Sequence, residues 1–241
     1  MIEFPNDVKS RNDFILAEVE AGNFFFTWGE VTSKAKIPGS KEEDVAIFRV
    51  MQDALMVGGV RVNVSARLQT AIADVLGASL MTALVSDLRF AQASVKVGPK
   101  PMPITSSTQA MVLHSHSVDE ACPPGSEGKL ISTVGKDWII DEKLTRAGKA
   151  CNYGWHFFGY SYQGISGSAA CSQQGKERLS VIQPNATAHD PDHVDYSQVC
   201  VLMDRACTVN GEDWDVLELM GSEKAHLISH TGKLSVFRQP L

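Results

Sequence analysis

No apolar run in this chain approaches the ~18–20 residues that would cross a bilayer, so a membrane-spanning helix is not expected. The opening MIEFPNDVKSRNDF has no apolar stretch behind a basic one. No secretory signal is therefore read, and the default expectation is cytoplasmic residence; a secreted or virion-associated location would require a chain already processed. Basic residues are in deficit. Lys and Arg total 22 against 28 Asp and Glu, a formal net charge of -6, and neutralising a phosphate backbone needs the opposite balance, so nucleic acid is not an expected partner. The five cysteines (Cys122, Cys151, Cys171, Cys200 and Cys207) form no C-x-x-C pair, which argues against a zinc knuckle and a dense disulfide framework. There is no H-E-x-x-H and no internal repeat. Neither a cofactor nor a metal is called for, and the oligomeric state is not legible.

What is present is ordinary globular material, with 44% hydrophobic and 21% charged residues over 241 positions. Residues 11–22 carry Phe14, Ile15 and Val19 at helical spacing, and 24–31 read as a strand closed by a Pro-containing turn. Val60–Val64 alternates as a half-buried strand should. Ser65 suits the N-cap of a helix over 66–76 that Gly77 terminates, and a second helix follows over 82–91. A third, capped by Ser107, aligns Met111, His114 and Val118 before Cys122-Pro123-Pro124-Gly125 stops it. Strand character follows at 130–134, 138–140, 150–157, 181–183 and 193–203, and the Gly- and Ser-rich 159–175 reads as a long loop beside a site. The expected fold is thus α+β, a helical N-terminal half packed on a mainly antiparallel C-terminal sheet. It is read as a single domain over 1–241, with its softest boundary near 95–106 and the candidate catalytic half at 107–241.

Three tempting motifs fail on geometry. The helix–Gly–helix cadence of 68–88 lacks the Arg, Lys, Asn or Gln that a DNA-reading helix needs, and is better read as a packing hairpin. His114 and His116, two apart on a helix, point in nearly opposite directions and cannot share an ion. Cys151 and His156 fall on opposite faces of a regular strand, so a thiol–imidazole dyad would need a bulge between them.

The stretch 193–202 survives. As a strand it would set His193, Asp195 and Ser197 on one face, spaced ~6.5–7 Å apart, with Val194, Tyr196, Cys200 and Leu202 on the other. The preceding turn crowds His189, Asp190 and Asp192 together. Upstream, Asn152-Tyr153-Gly154-Trp155-His156 would place Asn152 and His156 on one face and the two aromatics on the other, with Gly154 permitting close backbone approach.

Four strings, Thr133-Val134-Gly135-Lys136-Asp137-Trp138, Asn152-Tyr153-Gly154-Trp155-His156, Ile182-Gln183-Pro184 and His193-Val194-Asp195-Tyr196-Ser197-Gln198, resemble a motif series of an uncharacterised family of bacterial and phage-associated proteins, in which they run approximately G-H-K-K-D, Y-G-W-H, I-Q-P and D-Y-S-H. The resemblance covers about 130–203, with a looser match over 61–93. It implies that Lys136, Asp137, Tyr153, His156, Gln183, Asp195, Tyr196 and Ser197 share one site, and it carries no assigned activity. Here a single lysine, Lys136, stands in the first string, and Gln198 replaces a common histidine.

The leading functional expectation is a hydrolase acting on an amide, ester or glycosidic bond of a small-molecule or polymeric substrate. His156 would be general base or acid, Asp195 would orient an imidazole or position water, Lys136 would be an electrostatic stabiliser, and Ser197 is the candidate nucleophile, with Cys151 and water left open beside it. Tyr153, Trp155, Asp137, Gln183, His189, His193 and Tyr196 would line the substrate site. Two alternatives stand beside it: a metal-dependent enzyme drawing ligands from His156, His189, Asp190, His193 and Asp195, and a non-catalytic glycan- or peptide-binding module of a phage or cell-wall system.

Overall fold

The computed structural model describes residues 2–36, 42–103, 105–145, 148–173 and 175–240. The Pro-containing turn expected after the first strand falls on 37–41, outside the described residues.

Helices form where local signals are strongest. Helix α1 (Val8–Glu20) is capped by Asp7, and α2 (Ala66–Leu76) by the Ser65 side chain, ending on Gly77 in the left-handed conformation (φ 61°). Helix α3 (Ala83–Gln92) starts at a Thr82 cap; α4 (Thr108–Ala121) starts at Ser107 and buries Met111, His114 and Val118. A short α5 (Val216–Met220) follows directly on the strand Glu212–Asp215.

The strands correct the expected architecture. Helices are scattered along the chain, and the N-terminal half supplies two long strands of its own, Trp28–Lys36 and Glu43–Met51. These pair antiparallel, and Glu43–Met51 pairs in turn with Met203–Val209 and so with Glu212–Asp215, giving one sheet built from both ends of the chain. A second antiparallel sheet has the order Ser168–Ala169, Leu179–His189, Ala150–Phe158, Lys136–Trp138. Three smaller sheets complete the described set. The physical cause lies in Glu43–Met51, which alternates buried and exposed residues as a half-buried strand does but finds its second partner some 160 residues away. The two halves therefore interleave, and one apolar core runs from Phe4 to Leu234 through Phe48, Leu55, Ile72 and Trp138.

Residues 193–202 do not form the expected strand; the next strand starts only at Met203. Asp195 accepts from the Ser197 amide through Oδ1 (2.8 Å), a local side-chain bond that turns the chain at 195–198 and removes the alternation. Beyond the turn, Val199–Leu202 run fully buried, exchanging backbone bonds with Val62 and Leu55 through Cys200. The long 159–175 loop contains a small hairpin, Ser161–Tyr162 with Ile165–Ser166. Tyr162 packs directly over Gly98, where any side chain would collide with its ring.

Candidate functional site

The strand Ala150–Phe158 decides which residues meet. Its register slips between Asn152 and Gly154, and Gly154 and Trp155 both take positive φ (119° and 59°). The left-handed region is open to glycine and strained for tryptophan. The extra residue of that slip lies in the partner strand Leu179–His189; within Ala150–Phe158 the two positive-φ residues turn the chain, so that Tyr153 and His156 share a side and Trp155 points to the other.

On the first side sits a sealed polar network. Asp87 of α3 accepts from the Tyr153 hydroxyl (2.7 Å) and lies 2.8 Å from His156 Nε2 through the same oxygen, while its second oxygen accepts from the Ser172 amide (2.6 Å). Tyr153 also receives the Cys171 amide, and Phe90 stacks on His156 at 5.4 Å. Asp137 takes the Ser86 hydroxyl. Burial pushes its carboxyl above the ordinary range against the opposing charge of Arg89, and burial followed by the Asp87 charge raises the Tyr153 phenol likewise. His156 and Asp87 are 1% and 0% exposed. This arrangement ties α3 to the strand through buried side chains.

On the second side Lys136 Nζ meets Asp195 Oδ2 at 2.8 Å, the side chains 12% and 5% exposed. Ser197 donates both amide and hydroxyl to Asp195 Oδ1, Asn63 Nδ2 donates to the Asp195 carbonyl, and Gln198 Oε1 accepts from the Asp195 amide. Burial alone would raise the Asp195 carboxyl, but Lys136 and the Ser197 bonds outweigh it and hold the group below the usual carboxylate range. The Lys136 ammonium lies 5.4 Å over the Trp155 ring, which neighbours Tyr196 and His114. Tyr196 is fixed through its hydroxyl to the Met102 backbone.

Above this pair, His189 and His193 stack face to face at 4.5 Å, both half-buried, and His189 meets Trp138 edge-on at 5.8 Å. Burial, then His193 and Lys136, lower the His189 imidazole, so near neutrality it is an available base. Arg67 of α2 holds the 190–193 turn through Asp192 (2.7 Å), and a groove of about 540 Å³ between α1 and α2 ends on that pair.

The residues named from sequence thus divide. Lys136, Asp195, Ser197, Trp155, Tyr196, His189 and His193 come together; Asp137, Tyr153 and His156 lie behind the strand, bonded to Asp87 and its neighbours. Gln183, opposite Gly154 in register, donates to the carbonyl of Pro184. Cys151 contacts Asn185, and burial raises its thiol to about 12. Among the described residues no three His, Cys, Asp or Glu side chains converge in a way that could hold an ion. Tyr153 and Trp155, expected to line the substrate site, are 0% and 6% exposed. Asp87 was missed, although a carboxylate inside the apolar helix Leu84–Phe90 signals a buried, partnered charge. Asn63 and His114 were missed as site members for want of any local cue.

In comparisons with known proteins, no protein-family model, curated protein or solved structure matches this chain. No helix among the described residues is long and apolar enough to cross a membrane.

Proposed function

We propose that the chain is a hydrolase whose working site is the Lys136–Asp195 pair beneath the His189–His193 imidazoles, with water as the nucleophile. The observation that carries this reading is the combination of a depressed, half-exposed imidazole and a fixed ammonium on one face of the sheet. Ser197 is a poor nucleophile in this setting. Its hydroxyl donates to a carboxylate held below the ordinary range, which is too weak a base to activate it.

In the proposed step His189 removes a proton from water as the oxygen adds to the electrophilic carbon. The developing negative oxygen is stabilised by the Lys136 ammonium, which Asp195 and the Trp155 ring hold in place. Collapse expels the leaving group, which takes the proton back from His189.

The test is a panel of fluorogenic amides, esters and glycosides with wild type, His189→Gln and Ser197→Ala. Turnover of at least one class is expected, reduced 10²-fold or more in His189→Gln, the scale of a general base, and largely kept in Ser197→Ala. Full activity in His189→Gln, or no turnover of any class, would overturn the reading.

A further inference from the structure

Two of the five cysteines meet in the folded chain. Cys151, in the strand Ala150–Phe158, is fully buried and holds its Sγ 3.1 Å from Asn185 Oδ1. Cys171, half-buried near the end of the 159–175 loop, sets its thiol against the Tyr153 hydroxyl and against the same Asn185 side chain. One carboxamide is thus shared by two thiols, and the charge of Cys171 acts on Cys151. The remaining cysteines have no such company. Cys122 and Cys207 answer to burial and to charged neighbours, and Cys200 to burial alone, as small buried hydrophobes do. The backbone that carries Cys171 is anchored: its amide donates to the Tyr153 hydroxyl (2.8 Å), and the Ala170 amide before it donates to the Leu179 carbonyl (3.1 Å). Asn185 is itself fixed, its Nδ2 donating to Asp141 (2.6 Å) and its backbone carbonyl accepting from Lys143 (2.9 Å). The sulfurs therefore approach each other in the native chain, and not only in an opened one.

We propose that Cys151 and Cys171 form a thiol–disulfide site that a hydroperoxide closes in the folded protein, an inference that goes beyond the hydrolase reading and does not rest on it. The more accessible partner reacts first. The Cys171 thiolate attacks one peroxide oxygen; the O–O bond breaks, one oxygen stays on sulfur as a sulfenic acid, and the other leaves as hydroxide and takes up a proton. Cys151 then gives up its proton and attacks the Cys171 sulfur; the S–O bond breaks and the second oxygen departs as water. In sum two thiols lose two hydrogens, and hydrogen peroxide is reduced to two waters. Burial raises both thiols, Cys151 to about 12, so both are protonated near neutrality and the reaction is slow there. The bridge closes a loop of ~20 residues and pins the 159–175 segment to the strand beneath it.

The test treats the full, prereduced chain with hydrogen peroxide and maps it as non-reduced peptides by mass spectrometry. A peptide linking Cys151 to Cys171 within one chain is expected, reverting with dithiothreitol and forming about tenfold faster per pH unit between pH 7 and 8 as the Cys171 thiolate grows in. The bridged form should melt about 5 °C or more above the reduced one, the gain for a loop of this length. Cys151→Ser, which keeps a donor for Asn185, should leave Cys171 as a sulfenic acid that dimedone traps. Cys171→Ser should leave Cys151 unmodified under the same treatment. Should Cys151→Ser fail to fold, Cys171→Ser and the wild-type map decide the matter. Absence of the Cys151–Cys171 peptide, its formation only in denaturant, or a bridge to Cys122 in its place would overturn the inference. So would a bridged form that melts below the reduced one, or oxidation of Cys151 in Cys171→Ser as fast as in wild type.

Discussion

Replacing Lys136 by methionine tests the centre of the site most directly, because it keeps the stem of the side chain and deletes only the charge. Asp195 would be left 5% exposed with Oδ2 unpaired. Removing one partner of a buried pair costs about 3–5 kcal/mol. The lower end applies here, since Oδ1 keeps its two bonds to Ser197 and water reaches the 12% exposed lysine position. About 3 kcal/mol in a chain of this size corresponds to a fall of roughly 6–12 °C in melting temperature. The pH dependence has a defined sign. In the wild type the folded carboxyl sits below its ordinary value of 3.8, so its contribution is present above that value and is lost as pH falls through the folded one. Without Lys136 burial dominates and the folded carboxyl moves above its unfolded value, so the penalty is full at neutral pH and shrinks on acidification. Urea unfolding of both proteins between pH 5 and 8 reads this as a converging pair of stabilities. A difference under ~1 kcal/mol at pH 7, or one that widens in acid, would show that the pair behaves as a surface ion pair and would remove the basis for a held ammonium.

Three further outcomes follow from the same geometry. His114 is buried and held neutral, its imidazole lowered to about 4 by burial and then by Arg61, so its contribution is present above its unfolded value of 6.5 and is lost as pH falls through about 4; at about 1.4 kcal/mol per unit it amounts to about 3 kcal/mol, and His114→Leu should flatten the unfolding curve over that window. Ser197→Ala should lower stability by about 1–2 kcal/mol through the lost hydroxyl bond to Asp195, the amide bond being kept, measured by denaturant melts, while on the proposed reading turnover persists; loss of activity without loss of fold would restore the serine as nucleophile. His156→Gln should destabilise by about 1–3 kcal/mol by disturbing the Asp87 network and leave KM unchanged at temperatures where the variant is folded; a selective loss of kcat in the folded variant would return His156 to the chemistry.

What could be read from the sequence was local. Ser65 and Gly77 bound α2, and Ser107 starts α4 with Met111, His114 and Val118 inward, because caps and helical stripes are decided within a few residues. What was not legible depended on distant partners or on one side chain overriding a pattern. Glu43–Met51 needed Met203–Val209 to become a central strand. The 193–203 segment alternates convincingly, yet the Asp195 carboxylate captures the Ser197 amide and folds the chain into a turn. Asp195 and Ser197 do meet, by that turn rather than by strand periodicity. Gly154 reads in the sequence as a point of close approach, yet a Cβ there would meet nothing nearer than 3.5 Å; what the glycine supplies is its positive φ of 119°, whose consequence for the faces of its neighbours was not legible.

That consequence links the two sides of the strand. A tryptophan at φ 59° carries strain of about 1–3 kcal/mol, and such a conformation persists only where its surroundings over-determine it. Burying the Trp155 ring among Tyr196, His114 and the Lys136 ammonium offsets that cost, since truncating a buried tryptophan typically loses about 3–5 kcal/mol. The sealed network supplies the rest of the constraint: with Tyr153 and His156 both tied to Asp87, the residues on either side of Gly154–Trp155 cannot relax into a regular strand without breaking a buried bond. A regular strand would swing Trp155 away from Lys136 and turn His156 out of its pocket at the same time. The His156–Tyr153–Asp87 cluster therefore helps hold the backbone conformation that brings the Trp155 ring under the Lys136 ammonium on the opposite face.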